Sequence, residues 1–471
     1  MENAQFDFAI VGLGVMGSNL LLNLADHKFA ALGYDNNPDK TSALEKEALP
    51  NTIVKGVNSV SELVRLLKVP RKIMMLVPAG KPVDDVIGNL VEFVEPGDII
   101  LDGGNSHFTD TLRRVKTLEE KGIHFMGVGI SGGEEGARTG PSIMPGGDKD
   151  AYEYLRPLFE AIAAKVNGVP CVDYLGKGGA GHYVKMVHNG IEYSIMELIC
   201  ESYNVLKRIA GLSNDELHEV FTSWNEGDLQ SFLIEITAHI FTKKDDKTGN
   251  DLVDMILDKA GAKGTGKWTS QDALDIGVPI PSIEAAVTMR NISSLKEQRL
   301  RAAELYPTSY NNQALNKSEW INYVHDALQF GILMSYTQGL AMLQVASKDL
   351  GMEIPLNKVV NVWKGGCIIR STLLNLFDDV FEEDENLPNL LLHKSVVPLV
   401  AQSQKGIRMV ITEAVNAGIP VGGFMASLNY FDAYSSGRLP SNLLQAQRDF
   451  FGAHTYQRVD EPGIFHTQWK D

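Results

Sequence analysis

Two different periods divide the chain. Up to about residue 178, short β-rich runs, "FDFAIVG", "AALGYD", "KIMMLVP", "DIILDGG", "HFMGVGIS" and "PCVDYLG", alternate with helical patterns. That alternation predicts βαβ units and a parallel sheet. After the glycine cluster "GKGGAGH", Gly176 to His182, the strand signals largely stop, and long periodic segments predict a mostly helical region to about residue 435. The polar insert "KKDDKTGND", Lys243 to Asp251, reads as an exposed loop between helices. The last stretch, from "SSGRLPSNLL" to "FHTQWKD", mixes glycine and proline with aromatics and charges, a composition unusual for a disordered terminus. The expected organisation is an α/β domain over 1–178, an all-helical domain over 179–435, and a tail over 436–471 that docks against something.

Composition narrows the function classes. A net charge of −16 argues against a general nucleic-acid binder, which would concentrate positive charge. The three cysteines, Cys171, Cys200 and Cys367, have neither metal-ligand spacing nor the density of a disulfide scaffold, so they read as buried apolar side chains in a reducing compartment. No apolar run approaches the ~20 residues needed to cross a bilayer, and no signal-peptide pattern opens the chain. The expectation is a soluble, cytoplasmic protein.

The first chemical motif is "FDFAIVGLGVMGSNLLLNLADH". Gly12, Gly14 and Gly17 form G-x-G-x-x-G between a strand and a helix, the setting of a dinucleotide site in a Rossmann fold. The helix N-terminus would then face the pyrophosphate; the bland reading is a glycine-rich turn without a ligand. Asp35, in "GYDNNPDKT", lies at the ~20-residue offset where a carboxylate bonds the adenosine ribose and repels a 2′-phosphate. No arginine follows it, which favours NAD over NADP, although a strand-terminal aspartate can also simply cap a turn.

A third signal lies in "KMVHNGIEY". At about 100° per residue, Lys185, His188, Asn189 and Glu192 share one helix face, with Tyr193 flanking it. The neighbouring residues are too apolar for a solvated stripe of ordinary ion pairs, and lysine plus glutamate two turns apart make a proton-transfer pair. Gly190 costs the helix roughly 1 kcal/mol and would let a ligand or backbone approach. "SGGEEGARTGPSIMPGGD" could hold a carboxylate or hydroxyls on its amides. "AGAKGTGKWTSQDAL" suits phosphate through Lys263, Thr265 and Lys267, without matching a P-loop. Arg290, Arg448 and His454 could complete a phosphate cluster.

Together "GLGVMG", "DGGN", "GISGGEEGARTGPSIMPGG", "GAGHYVKMVHNGIEY", "KGTGKWT" and "FGAHTY" resemble, in order and spacing and over nearly the whole chain, the long form of decarboxylating 6-phosphogluconate dehydrogenase. The resemblance implies a Rossmann domain, a large all-helical domain, and a tail that reaches the partner's active site in a homodimer. It implies oxidative decarboxylation of 6-phosphogluconate to ribulose 5-phosphate with NAD or NADP and no metal. Lys185 matches the general base and Glu192 the acid. Gly12, Gly14, Val15, Met16, Gly17, Asp35, Asn36, Asn37, Val77, Ala79 and Asn105 match cofactor positions. Asn105, Ser131, Gly132, Gly133, His188 and Asn189 match those holding the sugar acid. Tyr193, Lys263, Thr265 and Arg290, with Arg448 and His454 from the partner's tail, match those around its phosphate. The chain departs from NADP-preferring relatives at Asp35, Asn36 and Asn37, where they usually carry Asn-Arg-Ser or Asn-Arg-Thr, and at Pro78, where many carry lysine. Two rivals remain: another β-hydroxyacid dehydrogenase, which would not need the phosphate cluster, and a non-catalytic dinucleotide sensor, which would not need Lys185 and Glu192 as a pair.

Overall fold

The computed structural model of the chain describes residues 5–307 and 316–470. One sheet is built from β1 (Phe8–Val11), β2 (Ala31–Tyr34), β3 (Val54–Gly56), β4 (Lys72–Met75), β5 (Ile99–Asp102), β6 (His124–Ser131) and β7 (Ser142–Gly147), in the order β3-β2-β1-β4-β5-β6-β7. β1 to β6 run parallel, and β7 lies antiparallel on β6 with Ser131 opposite Ser142. The strands are apolar on both faces because helices cover both. Phe8 and Ile10 of β1 enter one core while Ala9 and Val11 enter the other, and Met74 and Ile73 of β4 divide in the same way. Strand order reverses between β1 and β4, which opens a crevice at their C-terminal ends.

One expectation about the strands needs correcting. "PCVDYLG" does not enter the sheet as a strand: Val169–Pro170 pairs only with Lys165–Val166 in a two-stranded hairpin, and Val172 forms an isolated bridge to Ile143. The edge strand is instead "SIMPGG", whose glycines mask its strand signal. They serve packing, since a Cβ on Gly146 would come 2.2 Å from the Gly181 amide.

Gly181 belongs to the helix Ala180–Arg208, which at 29 residues runs about 43 Å. Its first turns lie directly on β6 and β7: a Cβ on Gly181 would meet Gly127 O at 2.2 Å and Met144 O at 2.4 Å, and one on Gly129 would meet Lys185 Cβ at 2.5 Å. Helices Thr265–Asp275, Pro281–Ser294, Lys317–Asp349 and Gly422–Tyr434 pack around the rest of it. Its core runs continuously from Phe108 and Met144 at the sheet edge to Phe424 and Tyr430. Lys243 to Asp251 is an exposed turn closed by a Lys244–Asp251 bridge. No helix among the described residues is long and apolar enough to cross a membrane.

The tail begins with a helix, Ser441–Gly452, and continues as irregular chain. Asp449 fastens the two parts together. It is fully buried and accepts from the Thr455 and Thr467 amides, His466 Nδ1 and Trp469 Nε1 at 2.8–3.0 Å. Leu443, Leu444, Phe450 and Phe451 on the same helix are exposed.

Candidate active site

The crevice between β1, β2 and β4 is a cleft of about 550 Å³, bordered by Gly12 and Gly14, by Asp35, Asn36 and Lys40, and by Val77 and Pro78. Its glycines have distinct reasons. Gly12 turns at φ +98°, and a Cβ on Gly17 would lie 1.9 Å from Gly12 O, whereas Gly14 has nothing within 4 Å and leaves backbone open to a ligand. The following helix, Val15–Asp26, has no side-chain cap, so its first amides remain available to an anion. Val15 is exposed beside this turn, while Met16 is half-buried against the core.

Asp35 closes the other end of the cleft. Its Oδ2 accepts the Leu13 amide at 2.8 Å, tying β2 to the glycine turn, and Oδ1 accepts the Asn37 amide at 2.9 Å. Lys40 Nζ donates to Oδ2 at 3.0 Å. Burial pushes this carboxyl upward, but the two amides and Lys40 outweigh it and hold its pKa below the usual range. Asn37 points elsewhere: it caps the helix Pro38–Glu47, accepting the Asp39 amide at 3.0 Å. Ala79 and Asn105 are exposed on the loops that follow β4 and β5.

The face predicted on the long helix exists: Lys185 and His188 are buried, and Asn189 and Glu192 are half-buried beside them. Lys185 is 7% exposed and His188 is fully buried. Burial pushes the Lys185 ammonium below its usual pKa, and Glu192 restores part of that shift. Burial pushes Glu192 upward, opposed by Lys185 and Arg290. An amine and a carboxylic acid are therefore both moved toward their neutral forms. His188 is driven well below its usual value by burial and by Lys185, so it is neutral. Its Nδ1 lies 3.0 Å from Asn189 Oδ1 and donates to it, which leaves Nε2 to accept from Ser131 Oγ at 3.4 Å. Asn189 Nδ2 donates in turn to Thr265 Oγ1 at 3.2 Å. Gly190 makes this possible: a Cβ there would strike Thr269 Cγ2 at 2.8 Å, so the glycine admits the Thr265–Asp275 helix rather than a ligand.

Tyr193 continues the face. The Arg290 guanidinium stacks on its ring at 3.6 Å, and a Cβ on Gly266 would meet that ring at 2.6 Å. Lys263 is exposed just before Thr265. Gly132 and Gly133, at φ +117° and +65°, begin the short helix Gly133–Thr139, and Gly132 lies against Gly366 O. Arg448 and His454 remain on the tail, where Arg448 donates to Gln445 and His454 stands edge-on to Phe451.

Two contributors were missed in the sequence. Trp363 stands edge-on to His188 at 5.8 Å, and Cys367, read as a small apolar side chain, is buried within electrostatic reach of Lys185. Burial pushes its thiol up to about 12, so it stays protonated. The glycine pair of "WKGGCIIRS" was the available signal.

Comparison with known proteins agrees with this geometry. Residues 7–176 match the NAD binding domain of 6-phosphogluconate dehydrogenase, and residues 181–469 match the 6-phosphogluconate dehydrogenase C-terminal domain. The NADP(+)-dependent, decarboxylating 6-phosphogluconate dehydrogenase of Bacillus subtilis (strain 168) is 50% identical over 461 residues, 98% of each chain. The NAD(+)-dependent, decarboxylating enzyme of the same organism is 47% identical over 463 residues, 98% of this chain and 99% of that one. The solved structure of Plasmodium falciparum 6-phosphogluconate dehydrogenase, described apo and in complexes with its cofactor NADP+ and its substrate 6-phosphogluconate, has a TM-score of 0.95 at 44% identity, covering 98% of this chain and all of that one. Similarity of this degree through both regions, joined to the lysine-glutamate face and the dinucleotide cleft, establishes that the chain belongs to the decarboxylating 6-phosphogluconate dehydrogenases, oxidoreductases that use NAD or NADP.

Proposed function

We propose that this site oxidises and decarboxylates 6-phosphogluconate to ribulose 5-phosphate and CO2. The observation that carries the proposal is the pair of opposed shifts on one buried helix face, Lys185 downward and Glu192 upward. The cleft at Gly12, Gly14 and Asp35 fits a dinucleotide, having an uncapped helix N-terminus, an unobstructed Gly14 and an ionised carboxylate. Bound there, NAD or NADP supplies the hydride acceptor.

Lys185, as the free amine, takes the proton of the C3 hydroxyl while the hydride leaves C3. A ketone at C3 is then β to the carboxylate, so the electrons of the breaking C–C bond flow to the carbonyl oxygen. The Lys185 ammonium returns its proton to that oxygen, and Glu192, as the neutral acid, protonates C1 of the enediol. Burial moves each group toward the protonation state that its step requires. Asn105, Ser131, Gly132, Gly133, neutral His188 and Asn189 hold the sugar acid; Tyr193, Lys263, Thr265 and Arg290 surround its phosphate. A sensor would have no use for the opposed shifts.

Asp35 supports NAD as the preferred cofactor, because an ionised carboxylate would meet a 2′-phosphate with like charge. The exposed leucines and phenylalanines of the tail helix support a homodimer in which residues 436–471 deliver Arg448 and His454 to the partner's phosphate site. The division into 1–178, 179–435 and 436–471 follows the same reasoning. The test is the initial rate on 6-phosphogluconate with each cofactor, with released CO2 trapped. Reduced cofactor and CO2 in equal amounts, and faster turnover with NAD, are expected. Reduction without CO2 would overturn the reaction, and preference for NADP would overturn the reading of Asp35.

A further inference from the structure

The loops after β4 and β5 meet beside the cleft: a Cβ on Gly104 would lie 3.1 Å from Val77 O. A single buried side chain holds both loops. Arg114, on the helix Phe108–Glu119, is 2% exposed. Its Nε donates to Asp84 Oδ1 at 2.8 Å and its Nη2 to the Gly80 carbonyl at 3.0 Å, both on the β4 side. Its Nη1 donates to Asp102 Oδ2 at 3.3 Å and to Ser106 Oγ at 3.2 Å, both on the β5 side.

Asp102 extends the connection in two directions. Its carboxylate accepts the Gly104 amide at 3.0 Å and the Ser106 hydroxyl at 2.6 Å, so the turn carrying Asn105 is pinned on both flanks. Its carbonyl accepts His182 Nε2 at 3.0 Å, in the first turn of the helix that carries Lys185. The other ring nitrogen of His182 accepts from the Thr111 hydroxyl at 2.6 Å, on the same helix as Arg114. The side chain of Arg113, the preceding residue, bonds to Asp84 and Asp110 at the surface.

We propose that Arg114 is a positioning residue for hydride transfer, fixing the Val77–Gly80 loop, the Asn105 turn and, through Asp102 and His182, the Lys185 helix in one mutual register. The inference rests on the reading above, in which the first two hold cofactor and sugar acid and the third holds the base. A guanidinium is required because its rigid fork satisfies acceptors on two loops at once, whereas an ammonium cannot span them in the same geometry.

Arg114→Lys keeps the charge and tests the fork. Expected are a fall of about 100-fold in kcat/KM for the cofactor and a larger primary isotope effect on kcat with 6-phosphogluconate deuterated at C3, since small misplacements of reacting groups are costly. NADH binding, followed by fluorescence without substrate, should weaken by about 10-fold, and Arg113→Ala should match the wild type. Arg114→Lys within about 3-fold of wild type with an unchanged isotope effect would overturn the proposal. So would a fall in melting temperature without any kinetic change. Should Arg114→Lys fail to fold, Thr111→Val removes only the hydroxyl that orients His182; it should raise the same isotope effect, and an unchanged effect would overturn the His182 arm. A wild type that binds NADH but does not turn over 6-phosphogluconate would sink the reading of the reaction, while weakened NADH binding by Arg114→Lys would still support the clamp on the two loops.

Discussion

The cofactor cleft and the lysine-glutamate face handle charge in opposite ways. The cleft is open, its Asp35 is surrounded by amide donors and Lys40, and the balance of forces keeps that carboxyl ionised. On the long helix Lys185 and Glu192 lie a few residues apart, yet removal of water dominates and moves each toward neutrality. Recognition of a ribose needs a fixed charge or a fixed acceptor. Proton transfer needs groups whose two states are closer in energy, and partial burial supplies that. The helix that carries this face joins the sheet at β6 and β7, where Gly127, Gly129, Gly146 and Gly181 let the two lie in contact.

This contrast can be broken from either side. Lys185→Met should have the largest effect, lowering turnover by about 1,000-fold or more while cofactor affinity, read by fluorescence titration, stays unchanged. Retained turnover would mean that the base lies elsewhere. Glu192→Gln should cost about 100-fold and also remove one limb of the bell-shaped pH profile of kcat. The sign follows from the shifts: neutral Glu192 is lost as pH rises through its raised pKa, whereas the Lys185 amine is gained as pH rises through its lowered one. A profile that keeps both limbs in the variant would reassign the acid.

Gly181→Ala attacks the junction itself. Its new Cβ would overlap Gly127 O and the Gly146 amide, so a loss of about 3 kcal/mol in denaturant unfolding is expected. Turnover should fall together with stability, and unchanged stability would show that the contact yields. On the cleft side, Asp35→Asn with Asn36→Arg should shift the NADP to NAD ratio of kcat/KM by about 10-fold toward NADP, by removing a repulsion and adding a phosphate partner. An unmoved ratio would place selectivity elsewhere. The smallest effect belongs to the tail. Burial raises the Asp449 carboxyl, but His466, the Thr467 amide and Trp469 outweigh it and hold the pKa down to about 2. The contribution of this group is therefore complete above 3.8 and lost as pH falls through about 2. Trp469 fluorescence should report loosening in that window, and Asp449→Asn should abolish the transition.

The legible parts of the molecule were those whose determinants sit together in the chain. The glycine turn, Asp35 and the four-residue helix face are each contained within a few turns of sequence, and periodicity alone placed Lys185 beside Glu192. The edge strand β7 was not legible, because Gly146 is chosen by the helix that crosses it and depresses the local strand signal. Gly190 was visible, but its purpose was not, since Thr269 is distant in sequence. Trp363 and Cys367 had only the glycine pair between them as a local mark, and Arg114 had none; their roles arise from partners on other elements.

What the sequence determined by itself was the alternation that makes the parallel sheet, the turn that suits a dinucleotide, and which side chains share the helix face. Those follow from backbone geometry and from periods of two and 3.6 residues, which act over short distances. Only the tertiary structure decided that Lys185 is buried, that His188 is neutral and bonded through Asn189 to Thr265, and that one arginine spans two loops. Desolvation and hydrogen-bond geometry depend on everything packed around a group, and that surrounding comes from segments far apart along the chain.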